Sequence, residues 1–238
     1  MIRSLAIETS SRIGSVALAQ DGKLLAEETF PHGLQHAARI VPAIDALCRG
    51  AGWTSGDIAH IYVSAGPGSF TGLRIGITLA KTLAFATGAK LVAVPTVRVL
   101  AENAPRDAQN LIIVIDAKRD QIFTASFEKS GLFWKPLQPA HLGTLTAMLA
   151  TTPRPVCLLG EGIPYHRKFV PENDPLLSIA DESLWRPRAE IVAKLGWELA
   201  QQGCFTAPME LIPIYIRRPE AEEKLEASSA AVKSPNAK

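Results

Sequence analysis

The chain has 238 residues, 47 % hydrophobic and 20 % charged, which suits one large or two small globular domains and excludes a disordered chain. A formal net charge of +2 is too small to predict a nucleic-acid surface by itself. The cysteines Cys48, Cys157 and Cys204 are far apart and form no Cys-x-x-Cys pair, so the expectation is buried reduced thiols rather than a disulfide framework or zinc knuckle. The N-terminus lacks the basic–apolar–small pattern of a signal peptide, and no apolar run reaches the ~20 residues of a membrane span. A cytoplasmic protein without a membrane segment is expected.

Ile2 to Ile7 reads as a strand that ends in the polar run Glu8-Thr9-Ser10-Ser11. Ile13 to Ala19 and Leu24 to Phe30 are two more strands, joined by the hairpin signal Asp21-Gly22. An acid at the end of a first strand, as Glu8 is, suits holding a metal or phosphate and equally suits capping the next turn. Gln35 to Gly50 is a helix with Ala37, Ile40, Val41, Ile44, Leu47 and Cys48 at helical spacing, and Pro42 inside it predicts a kink. His32 and His36 stand four apart, but Pro31 and Gly33 flank the first and no third ligand is near, so a metal site is not expected.

Ile58 to Ala65 reads as a buried strand that stops at Gly66-Pro67-Gly68-Ser69-Phe70-Thr71-Gly72 and opens into a helix, Leu73 to Gly88. Ser69 or Thr71 suits the helix cap. Strand, glycine loop and helix together suggest phosphate binding, because a helix N-terminus presents free N–H donors. However, Leu73-Arg74 follow Gly72 where a phosphate loop needs Lys and Ser or Thr, so a tight turn packing a helix on a sheet stands as the competing reading. The helix is nearly all apolar, with Arg74, Thr78 and Lys81 as one narrow polar stripe. Such a helix is buried on more than one side, so one face meets its own sheet and the other meets a second helix, in this chain or a partner.

Leu91 to Val94 is a strand, Thr96 to Asn103 a short helix and Ala104 to Asn110 a linker. Leu111 to Asp116, the charged turn Lys118-Arg119-Asp120 and the strand Gln121 to Glu128 repeat the N-terminal plan, which points to two related halves. A helix at Leu142–Ala150, a strand at Val156–Leu159, the turn Gly160-Glu161-Gly162, a short helix to Phe169 and a final helix at Pro187–Gln202 follow. Pro213 to Arg218 is extended. From Pro219 the polar tail cannot bury enough apolar surface to order itself.

The runs Leu5-Ala6-Ile7-Glu8-Thr9-Ser10, Gly66 to Gly76, Ile115-Asp116-Ala117-Lys118-Arg119 and Pro213-Ile214-Tyr215-Ile216-Arg217 resemble the TsaB (YeaZ) family across residues 1–218. The resemblance implies an α/β, actin-like/Hsp70-like (ASKHA) fold of two lobes, mixed sheets flanked by helices, with lobes at 1–104 and 105–218 and a disordered tail at 219–238. It implies a non-catalytic platform for TsaD, with TsaE as a further partner, in forming N6-threonylcarbamoyladenosine at position 37 of tRNAs that read codons starting with A. The catalytic relative's His-x-x-x-His metal motif corresponds here to Val94–Leu100, which holds no histidine. That departure also counts against a peptidase.

The resemblance further implies a helix-pair contact with TsaD or with a second copy. The expected interface residues are Ala37, Ile40, Ile44, Leu47, Arg74, Gly76, Ile77, Ala80 and Lys81. It implies no cofactor on this chain alone, ATP or ADP entering at the level of the complex, and tRNA reaching the chain through the complex. Glu8, Gly66, Gly68, Ser69, Thr71 and Gly72 are the nucleotide-proximal candidates. The alternative is a nucleotide-dependent kinase or transferase that uses Glu8 and the Gly66–Gly72 loop.

Overall fold

The structure is a computed structural model and describes residues 1–30 and 36–217. The expectations on His32, on Gln35 and on the polar tail lie outside the described residues, and for His36 the backbone alone is described.

Two five-stranded sheets form the frame. In the first, β1 (Arg3–Glu8), β2 (Gly14–Gln20) and β3 (Lys23–Phe30) make an antiparallel meander. β4 (His60–Gly66) then joins β1 in parallel and β5 (Lys90–Pro95) joins β4 in parallel. The second sheet repeats this wiring. β6 (Asn110–Asp116), β7 (Ile122–Ser130) and β8 (Phe133–Gly143) meander, and β9 (Val156–Leu159) and β10 (Leu177–Ile179) add in parallel on the far side of β6. The orders β3-β2-β1-β4-β5 and β8-β7-β6-β9-β10 correspond strand for strand. The two halves inferred from the repeated strand–turn–strand pattern are therefore two copies of one sheet.

Side chains alternate across each strand, so each sheet feeds two cores. On the first sheet Leu5, Ile7, Val16 and Leu18 face the helices α1 (His36–Ala51) and α2 (Phe70–Thr87). The other face carries Ala6, Ala17, Ala19 and Tyr62. These small residues leave room for α5 (Ala189–Gln201), whose Ile191, Val192 and Leu195 pack there. This corrects the expectation that residues 105–218 stay together in the second lobe: the last helix returns to the first sheet. α3 (Thr96–Ala101) sits between the halves, with Val99 in the core under the first sheet and Val97, Leu100 and Ala101 in the core with Leu111 and Ile113. α4 (Leu145–Thr151) covers the outer face of the second sheet through Leu145 and Met148.

Three other differences from the sequence reading have local causes. α2 begins at Phe70, so Gly72 lies in its first turn rather than in the loop. Leu142 and Gly143 close β8, and the helix expected from Leu142 starts at Leu145 behind the Thr144 cap. Cys48 and Cys157 are buried free thiols as expected, but Cys204 is exposed. Among the described residues no helix is long and apolar enough to cross a membrane.

Candidate functional site at the inter-lobe cleft and the outer helix pair

The glycine loop is closed by its own chain. Ser69 N–H donates to the Ser10 carbonyl at 2.7 Å, and Thr9 Oγ1 donates to the Gly72 carbonyl at 2.8 Å. Ser69 Oγ accepts from Gly72 N–H at 3.2 Å and so caps α2. Of the two cap candidates the structure uses Ser69. The glycines allow the contact: a Cβ on Gly72 would stand 1.9 Å from the Thr9 carbonyl oxygen, and one on Gly68 would stand 2.3 Å from that of Ser10. Two donors at this helix start, Ser69 N–H and Gly72 N–H, are turned to Ser10 and Ser69 rather than left for a phosphate.

Glu8 ends β1 with its side chain fully buried. Its Oε1 accepts from Ser10 N–H at 2.5 Å and from Ser10 Oγ at 2.6 Å, which makes it the cap of the following turn. Its Oε2 and the Ser64 hydroxyl on the neighbouring strand lie near each other but form no hydrogen bond of good geometry. Burial pushes the carboxyl up to about 7, only partly offset by the Ser10 and Ser64 hydroxyls, and the charge of Glu161 adds to the rise.

Asp116 is the corresponding acid at the end of β6. It accepts from Lys118 N–H at 3.1 Å, two residues on, as Glu8 does from Ser10. Unlike Glu8 it has a cation beside it, Lys118 Nζ at 3.0 Å, and His166 Nε2 lies at 3.2 Å. Partial burial raises its pKa, but hydrogen bonds from Lys118 and His166 and the Lys118 charge outweigh that and hold the carboxyl below its ordinary value.

A small cavity lies beside the turn after β1. Ser10, Thr96, Ile115, Glu161, Trp185 and Pro187 enclose a cavity of about 30 Å³. That volume matches one water, whereas ligand pockets run to roughly 300–1,000 Å³. Val97, Val99 and Leu100 of α3 are core packing, Thr96 is buried and Arg98 is exposed. Among the described residues no group of three His, Cys, Asp or Glu side chains is arranged to hold a metal ion.

The outer helices require a correction to the expected interface set. Ile40, Ile44, Ile77 and Ala80 are 9 % exposed or less and lie in the core under the first sheet. Gly76 is also buried, where a Cβ would meet Thr9 Oγ1 at 2.3 Å, and Leu47 is half-buried. Of the apolar residues in the set, Ala37 alone is exposed. Arg74 and Lys81 are engaged by the C-terminal segment: Arg74 Nε donates to Tyr215 Oη at 3.0 Å, and Lys81 Nζ to the Leu211 carbonyl at 3.2 Å. The outward faces carry other residues instead, Val41 at 53 % and Phe85 at 86 % exposure. Helical spacing alone did not separate the two faces because both are apolar.

Sequence reasoning also missed a cluster at the cleft mouth. Arg12 donates to the Tyr165 hydroxyl across the lobes, and the Arg12 guanidinium and Lys118 Nζ lie 5.5 and 5.4 Å from the Tyr165 ring centroid. Superposing the turns after β1 and β6, which the repeated pattern invites, would have paired Arg12 with Lys118–Asp120.

Two copies of one meander-plus-crossover sheet, facing across a cleft with the first strand of each ending in an acid, define a two-lobe actin-like protein. A family model described as "TsaD: tRNA N6-adenosine threonylcarbamoyltransferase" matches residues 32–224. The tRNA threonylcarbamoyladenosine biosynthesis protein TsaB of Bacillus subtilis (strain 168) is 33 % identical over 226 residues, 92 % of this chain and 96 % of the relative. The TsaB of Escherichia coli (strain K12) is 34 % identical over 131 residues, 54 % of this chain and 56 % of the relative. The structure of YeaZ from Pseudomonas aeruginosa has a TM-score of 0.75 at 26 % identity and covers 90 % of this chain and 100 % of that one. The chain belongs to the TsaB family of tRNA threonylcarbamoyladenosine biosynthesis proteins.

Proposed function

We propose that this chain acts as a non-catalytic platform for a TsaD-family threonylcarbamoyltransferase. The reaction is formation of N6-threonylcarbamoyladenosine at position 37 of tRNAs that read codons starting with A, with TsaE as a further partner. The observation that carries the reading is the closed cleft. Ser69 N–H and Gly72 N–H are bonded within the chain, and the cavity lined by Ser10 and Glu161 holds about 30 Å³. A nucleotide needs roughly ten times that volume, so this cavity does not hold one, and in this reading ATP or ADP enters at a contact made by the complex.

The partner docks on the outward faces of α1 and α2, around Ala37, Val41 and Phe85. A side chain as large and apolar as Phe85 gains little from standing in water and gains burial in a contact. Titration of a TsaD-family partner with wild-type chain, Val41→Glu and Phe85→Glu tests this. Both variants are expected to fold normally and to bind at least tenfold more weakly; unchanged binding by both would overturn the assigned face.

A second reading, a nucleotide-dependent enzyme, is favoured by one observation: Glu8 is buried, has a free oxygen and is raised to about 7, which suits a general base. Tight ATP binding with turnover by the isolated chain would establish it in place of the platform.

A further inference from the structure

We propose that the mouth of the inter-lobe cleft, built from Arg12, Lys118, Arg119 and Tyr165, is a contact site for the phosphate backbone of RNA; the inference rests on the function proposed above. Its first support is backbone strain. Lys118, Arg119 and Asp120 all have positive φ, at 63°, 54° and 56°. Three consecutive non-glycine residues in the left-handed region are unfavourable, and such conformations gather at functional sites. The turn is held by Gln121 N–H on the Lys118 carbonyl at 3.0 Å, Ala117 N–H on the Gln121 carbonyl at 2.9 Å and Lys118 N–H on Asp116. Glycine in these positions would form the same turn without strain, yet two of the three are cations.

The second support is where the turn places Lys118. Lys118 and Arg12, from opposite lobes, both lie over Tyr165, and all three residues are exposed. Lys168, paired with Asp120, and Arg186, beside Glu161, extend the basic rim. Asp116, Asp120 and Glu161 offset part of this charge through Lys118, Lys168 and Arg186. Cations flanking an exposed aromatic ring suit a phosphate chain with an adjacent base or sugar.

Shape selects between two sources of phosphate. The cavity lined by Ser10, Ser11 and Glu161 next to Arg12 is about 30 Å³, too small to bury the base of a free nucleotide. An extended polyanion lying across the rim needs no pocket.

The test uses the full chain with its TsaD-family and TsaE-family partners and follows threonylcarbamoyl transfer against tRNA concentration and salt. Lys118→Glu and Arg119→Gly are each expected to raise the KM for tRNA about fivefold and to lower the slope of log KM against log salt by about 0.7–0.9, one phosphate contact, with kcat retained. Arg119→Gly is also expected to keep or raise the melting temperature, because it removes a side chain from a φ of 54°. Lys135→Glu, on the exposed strand β8 away from the mouth, is expected to leave KM unchanged. Unchanged KM and salt slope in both mouth variants would overturn the proposal. So would competition by ATP or pyrophosphate at micromolar concentration, which would assign the site to a small phosphate ligand.

If the wild-type chain fails to support transfer, the proposed function fails on its own account. Equilibrium binding of tRNA by the isolated chain at low salt still reads the mouth: weaker binding by Lys118→Glu supports it and equal binding refutes it.

Discussion

Gly72→Ala separates a structural glycine loop from a ligand-binding one. The added methyl carbon would lie 1.9 Å from the Thr9 carbonyl oxygen, 3.1 Å from the Thr9 carbonyl carbon and 3.3 Å from Ser69 Oγ. An ordinary carbon–oxygen contact is reached near 3.4 Å, so α2 and the turn after β1 must separate by about 1.5 Å. Such overpacking costs about 1–3 kcal/mol. The Thr9–Gly72 hydrogen bond, 2.8 Å long, is stretched or lost with it, for a further ~1 kcal/mol. Alanine's better helix propensity returns up to ~1 kcal/mol. The net expectation is a loss of about 1–3 kcal/mol, read in urea as a midpoint lowered by about 1 M. Gly50→Ala is the control, since nothing lies within 4 Å of the position in the last turn of α1, and its midpoint is expected to stay or rise. If Gly72→Ala unfolds with the wild-type midpoint, the helix does not depend on close contact with Thr9. The loop is then not closed by this contact.

Glu8 makes stability depend on pH in a stated direction. Its carboxyl is raised from 4.5 unfolded to about 7 folded, so the folded state binds more protons between those values and stability falls as pH rises through that window. The shift corresponds to about 3 kcal/mol by pH 8. Glu8→Gln is therefore expected to be more stable than wild type at pH 8 by about 1–3 kcal/mol and equal to it below pH 4.5; parallel stability curves across that range would contradict the assignment. On α2, Ile77→Glu places a charge in the first core and is expected to prevent folding, whereas Phe85→Glu at 86 % exposure changes stability by less than about 0.5 kcal/mol. Circular dichroism melts distinguish the two, and equal melts would mean that the helix faces are misassigned.

Much of the fold was legible because local chemistry specified it. Leu5, Ala6 and Ile7 form a run buried on both faces of a central strand, and Asp21-Gly22 adopts the two positive φ values of its hairpin turn. β8 was not legible: it alternates poorly, carries Pro136 and Pro139 and is largely exposed, so no hydrophobic period marks it. The return of α5 to the first sheet depends on space left by Ala6 and Ala17, nearly two hundred residues earlier in sequence for the most distant contacts, as the Ala189 N–H to Ser15 Oγ bond at 2.8 Å illustrates. The glycine loop was visible but its use was not, because the partners that close it, Thr9 and Ser10, come from another turn. The outer helices showed too much apolar surface, yet which residues faced out required the sheet to be in place.

The most direct measurement is threonylcarbamoyl transfer to tRNA by TsaD-family and TsaE-family proteins with and without this chain, beside the chain alone. The platform account predicts transfer only when all are present, abolished by Phe85→Glu in a folded chain. Transfer by this chain alone, or full transfer in its absence, would contradict it.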